Sequence, residues 1–127
     1  NDRQVDESRA AFHRAAELAD AALEVNSRDP AVMMDRAWIR AMLDDTSGAL
    51  SDIRLSAEIL TDNPYVDFIT GLILARIGDV DGAMTSLEQA VEKGYPISLL
   101  AAEPHLSSLR QDQRFSALIK DKKPAEE

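Results

Sequence analysis

At 127 residues, with 45% hydrophobic and 29% charged side chains, the chain fits one small globular domain rather than a disordered segment. Its 23 acidic and 14 basic residues give a formal charge of -9, which repels phosphate backbones and argues against nucleic acid as a partner. Cysteine is absent, which excludes disulfides, thiolate catalysis and zinc-thiolate sites, and the longest apolar stretch, Phe68 to Ala75, is far too short to span a bilayer.

The first residue is Asn1, with no initiator methionine and no cationic-then-apolar leader, so we expect a processed product or an excised piece of a longer polypeptide. A cysteine-free chain suits either redox compartment; we expect a soluble protein, with the cytoplasm favoured over the periplasm or the exterior. Charge is divided unevenly. Residues 1–29, 30–63 and 64–97 each sum to -3 (seven acids less four bases, six less three, five less two), whereas residues 98–127 balance at five of each.

From about Arg3 to Asn26 there is neither glycine nor proline, and the spacing predicts one long alanine-rich helix. Asp29 before Pro30 and Asn63 before Pro64 pair a capping side chain with proline at the first helical position, so helices are expected to begin at 30 and 64. They should stop near Asp44 and Gly78, with Asp79 capping the next helix. Between Pro30 and Leu43 only Asp35, Arg36 and Arg40 are polar, and they fit within a sector of about 140°. The helix from Pro64 to Ile77 is equally apolar around its circumference, with Asp67, Thr70 and Arg76 as its polar members. In the helix that follows, Val80, Ala83, Met84, Leu87, Ala90 and Val91 form one stripe, and Glu88, Gln89, Glu92 and Lys93 should face water. Beyond Pro96, Leu99, Leu100, Leu106, Leu109, Phe115 and Leu118 are expected to close the last helix as a cap, with Arg110, Arg114 and Lys120 in solvent and residues 123–127 as a frayed tail.

These elements repeat. A shift of 34 residues superposes Pro30 on Pro64, Val32 on Val66, Ile39 on Ile73, Ala41 on Ala75, Asp45 on Asp79, Gly48 on Gly82, Ala49 on Ala83 and Glu58 on Glu92. Eight identities exceed the roughly two or three that composition alone supplies. The register reaches backwards as well, with Ala15, Ala22, Glu24 and Val25 one period before Ala49, Ser56, Glu58 and Ile59. The organisation is thus a single helical-repeat domain: a half repeat over 1–29, repeats over 30–63 and 64–97, and capping helices over 98–122.

Little in the chain points to catalysis. His13 and His105 lie in different elements, without cysteine or further ligands to complete a metal site. Asp79-Val80-Asp81-Gly82 has its glycine two places too early for a calcium loop and reads as a cap and turn. Asp44 and Asp45 sit in a polar turn, and there is no glycine-rich phosphate loop or nucleophile elbow. We therefore expect no catalytic residue, no metal and no cofactor.

A helix with a wide apolar surface alternating with a one-stripe helix, at 34-residue spacing, resembles the tetratricopeptide repeat over roughly residues 10–97. The small contact residues of that family correspond to Ala37 and Gly71 in the first helices and to Ala49, Ala83, Ser56 and Ala90 in the second. The sequence departs from the pattern where Asp67 stands opposite Met33 and where Arg40 stands opposite Leu74. The resemblance implies an all-α fold, an α-solenoid of antiparallel helix pairs with right-handed superhelical stacking. It further implies a concave groove that binds a peptide or helix of a partner protein, lined by Met34, Trp38, Ala41 and Met42 from one helix and by Tyr65, Phe68, Leu72, Ala75 and Arg76 from the next. Trp38 is as readily core as groove by its surroundings. With Arg76 as the one groove cation, the residues argue against a carboxylate clamp. The expected function is a non-catalytic interaction scaffold, with a homo-oligomerisation module, including a homodimer, or a regulatory domain of a larger polypeptide as the alternatives.

Overall fold

The computed structural model describes residues 2–121 and is helical, with no strand among the described residues. The helices are α1 (Asp2–Val25), α2 (Pro30–Met42), α3 (Thr46–Ile59), α4 (Pro64–Ile77), α5 (Val80–Glu92), α6 (Ile97–Ala102), a 3-10 helix (Pro104–Leu109) and α7 (Gln113–Asp121). They form two compact units that divide after Thr61, with α1 to α3 in the first and the remainder in the second. The tail expected over 123–127, like Lys122 before it, lies outside the described residues.

Local chemistry sets the helix boundaries. The Asp29 carboxylate accepts from the amides of Ala31 and Val32, and the Asn63 side chain accepts from that of Tyr65, each just before the proline that opens α2 or α4. Asp45 and Asp79 cap α3 and α5 in the same way, accepting from Gly48 at 3.0 Å and Gly82 at 2.9 Å. Between the paired helices the backbone must turn through a left-handed residue. Gly78 does so at φ 92°, and Asp44, one period earlier, does so at φ 65°, aspartate being among the few side chains that tolerate that region.

In the first unit α2 packs on α3 and on α1. The α2–α3 pair is antiparallel, since Ser56 lies 3.3 Å from the Pro30 carbonyl at one end while Arg40 approaches Asp45 at the other. Ala37, Ala49 and Ser56 are fully buried there, as small residues at a close helix crossing must be. In the second unit α4 packs on α5 and on the 3-10 helix, and α7 on α5 and α6. Ala83, Met84, Leu87 and Ala90 are buried as the stripe predicts, whereas Val80, in the first turn, stays exposed.

The C-terminal elements differ from expectation in one respect. Leu100, Leu106, Leu109, Phe115 and Leu118 enter the core, but Leu99 is 51% exposed, because α6 is six residues long and offers one buried position, Leu100. Arg110 and Arg114 are exposed as expected, and both also bind. Arg110 donates to the Ala101 carbonyl at 2.9 Å, and Arg114 joins Asp81 on α5 to Asp112, each at 2.9 Å.

At Gly71 the helices leave no room for a side chain. A Cβ there would fall 2.6 Å from Leu87 Cδ2 and 2.8 Å from its Cγ. Overpacking a core costs about 1–3 kcal/mol, against about 1 kcal/mol gained in helix propensity by replacing glycine. Gly71→Ala is therefore expected to be net destabilising, by about 1 kcal/mol, as a lower urea midpoint at an unchanged slope.

Candidate interaction surfaces

In the first unit the polar sector of α2 is not simply solvated. Arg36 donates from Nε and Nη2 to the two carboxylate oxygens of Asp52, at 2.9 and 2.8 Å, and from Nη1 to Asp20 at 2.8 Å. Arg40 adds a third bond to Asp52, at 3.1 Å. Asp52 is 1% exposed, so α1, α2 and α3 are joined through one buried carboxylate, two arginines and Asp20. The bond with Asp52, and then that with Asp20, holds the Arg36 guanidinium more firmly charged than usual despite partial burial. Arg40 departs from the repeat pattern because it serves Asp52. The second unit has Thr70, Leu74 and Ser86 at the three corresponding positions, and no such network forms there.

The second unit carries an aromatic stack. Phe68 on α4 lies under Tyr95, with ring centroids 4.4 Å apart and planes inclined by 13°, and Tyr65 stands 6.0 Å from Phe68. Tyr95 follows α5 because Gly94, at φ 109°, turns the chain back. Beside the stack, Lys93 and Asp67 form an ion pair at 2.7 Å, short but poorly aligned for a hydrogen bond. The Asp67 that departs from the repeat pattern is thereby neutralised by Lys93, which is exposed as the stripe predicts. Contact with Asp67 raises the Lys93 pKa, and burial, with the charges of Tyr65 and Glu103 behind it, raises that of Tyr95.

Among the residues expected to line a groove, Met34 and Ala41 on α2 are buried, while Trp38 and Met42 are half-buried. On α4, Phe68, Leu72 and Ala75 are buried, Arg76 is exposed, and Tyr65 is 44% exposed. The structure brings Tyr65 and Phe68 together and adds Tyr95, which sequence reasoning did not select. His13 on α1 and His105 in the 3-10 helix are both exposed. Asp79 is the cap of α5 and Asp81 is paired with Arg114. Among the described residues no group of three or more histidine, cysteine or acidic side chains could hold a metal ion, and no helix is long and apolar enough to cross a membrane.

No protein family, curated protein or solved structure matches this chain.

Two outcomes follow from the charges. Removing the carboxylate in Asp52→Ala takes three charge-assisted bonds from two partly buried guanidinium groups, leaving Arg36 only Asp20 and Arg40 only the more distant Asp45, and is expected to destabilise the first unit by about 3 kcal/mol, whereas Asp20→Ala, at an exposed end of the network, should cost less than about 1 kcal/mol in urea unfolding followed by Trp38 fluorescence. In the second unit the folded pKa values of Lys93 and Tyr95 lie above their unfolded ones. The stability they contribute is complete below about pH 10 and is lost as pH rises through the folded values. The second unit, which holds both tyrosines, should weaken above about pH 10, and Tyr95→Phe should remove the tyrosine part of that loss, as followed by tyrosinate absorbance and circular dichroism.

Proposed function

We propose that this chain is a non-catalytic interaction module built from tetratricopeptide-like helix pairs, in which the first helix of each pair supplies the recognition side chains for a peptide or helix of a partner protein. The observation that carries this reading is the Tyr65–Phe68–Tyr95 stack. It is a rigid aromatic surface with two hydroxyls, one of them on a side chain left 44% exposed, standing on a fixed helical scaffold. Tyrosine and tryptophan concentrate binding energy where a partner can desolvate them. Trp38 and Met42 on α2, half-buried and needing little movement to be covered fully, extend the same chemistry to the first unit. The use of charge supports the reading too: Arg36, Lys93, Asp112 and Arg114, whose ionisation is shifted, all stand in ion pairs that join helices or close turns.

Selection from a displayed peptide library against the wild-type chain tests this. Enriched peptides should lose at least about tenfold in affinity to Tyr65→Ala or Trp38→Ala, a difference of about 1.4 kcal/mol, while both variants keep the wild-type helical signal. Failure to enrich any peptide, or peptides indifferent to both substitutions, would refute the reading. Phe68→Ala is a poor probe here, because truncating so buried a ring costs about 3–5 kcal/mol of stability by itself.

A further inference from the structure

One face of α1 is left without the helix that covers its counterparts. The 34-residue register sets Ala15, Leu18 and Ala22 on α1 against Ala49, Asp52 and Ser56 on α3 and against Ala83, Ser86 and Ala90 on α5. The six counterparts are buried. In the first unit α2 covers them, with Arg36 and Arg40 on Asp52 and the Pro30 carbonyl beside Ser56. In the second, α4 covers them, with Gly71 pressed against Leu87 and the Ala83 carbonyl. On α1, by contrast, Leu18 is 73% exposed, Ala22 is exposed, and Val25, at the end of the same face, is 90% exposed. α1 buries Ala19 and half-buries Phe12, Ala15, Ala16 and Leu23, and it packs on α2.

The two hairpins also show what belongs on this face: an antiparallel helix with alanine or glycine at the crossing. The two hairpins turn at Asp44-Asp45 and at Gly78-Asp79, whereas Ala10 and Ala11 occupy the corresponding positions on α1 and the helix runs straight through them. Leu18 in place of Asp52 further selects the occupant. A helix like α2 would set Arg36 against leucine, whereas a helix like α4 offers Thr70 and Leu74. With a charge of -9 on the whole chain, a second copy is opposed and a partner of net positive charge is favoured. We propose that the Leu18–Ala22–Val25 face of α1 docks one apolar helix of a different protein, net basic, with a small residue at the crossing and no basic side chain opposite Leu18.

The absence of native cysteine makes a direct test available. The full chain carrying Ala22→Cys is labelled with N-ethylmaleimide, with and without a stapled peptide of the α4 sequence, Pro64–Ile77, bearing a lysine tail. The expected result is rapid labelling that the peptide slows by about tenfold, an effect reduced severalfold by Leu18→Glu, which lies in solvent and leaves the helical signal unchanged. The same peptide with Gly71→Leu, and an α2 peptide spanning residues 30–43, should protect poorly. The proposal is overturned if the α4 peptide gives no protection, if Leu18→Glu leaves protection intact, or if the α2 peptide protects as well as the α4 peptide. It is equally overturned if Ala22→Cys resists labelling before any peptide is added, which would mean a segment of the molecule already covers the face. Sedimentation showing a dimer that Leu18→Glu dissolves would assign the face to a second copy instead.

Discussion

The structure depends on how closely two helices can approach within each pair. At Gly71 the approach is so close that the Leu87 side chain occupies the volume a Cβ would take, and the matching site in the first unit, Ala37, is fully buried. Close approach of this kind forces the facing positions of the second helix to be small, which explains Ala49 and Ser56 in α3 and Ala83 and Ala90 in α5. It also leaves the rest of each first helix as wide apolar surface that needs cover, because a stripe is consumed at the crossing while the helix remains apolar over most of its circumference.

The two units share this backbone and meet the remaining requirement by different chemistry. In the first, α3 brings a carboxylate to the crossing face, and α2 must answer with arginine; the three helices are then joined by directional bonds, and the geometry is specified by charge. In the second, the same positions hold Thr70, Leu74 and Ser86, and the apolar surface of α4 is covered by the 3-10 helix and by Tyr95 stacked on Phe68. A buried ion network resists partial disassembly, since separating one partner strands a charge. An aromatic stack is more permissive, because its rings interact with any flat or apolar surface that replaces water. The first unit is on these grounds held by directional bonds and the second by packing of apolar and aromatic surface.

Much of the helical plan was legible because caps and turns are local chemistry. Asp29 with Pro30, Asn63 with Pro64, and Gly78 with Asp79 each act within four residues, so their roles survive folding unchanged. Asp52 was not legible, although a signal existed: it lies between Ala49, Ile53 and Ser56 on the apolar stripe of α3, facing two arginines of α2. An acidic residue at such a position satisfies the same periodicity as a solvated one until its partners on another helix are known. Tyr95 was not legible because it stands near the end of the second full repeat opposite Thr61, where no identity marks it, and its stacking on Phe68 is set by the left-handed turn at Gly94. Leu99 follows the same apolar pattern as Leu100, yet a six-residue helix can turn only a narrow side inward, and Leu100 takes it.

The half repeat at the N-terminal end draws its interest from the same constraint. A second helix of the pair type owes its small residues to a first helix lying across it, and α1 keeps Ala15 and Ala22 at those positions although Ala22 is exposed and Ala15 only half-buried. Leu18 is the informative change. An aspartate at that place, as in α3, would be content in water, and a serine, as in α5, nearly so; a leucine held at 73% exposure gains nothing from solvent and much from contact. Only an apolar neighbour gives that side chain a favourable setting, and the -3 carried by residues 1–29, the seven acids less four bases of that segment, sets the sign of charge such a neighbour should bring.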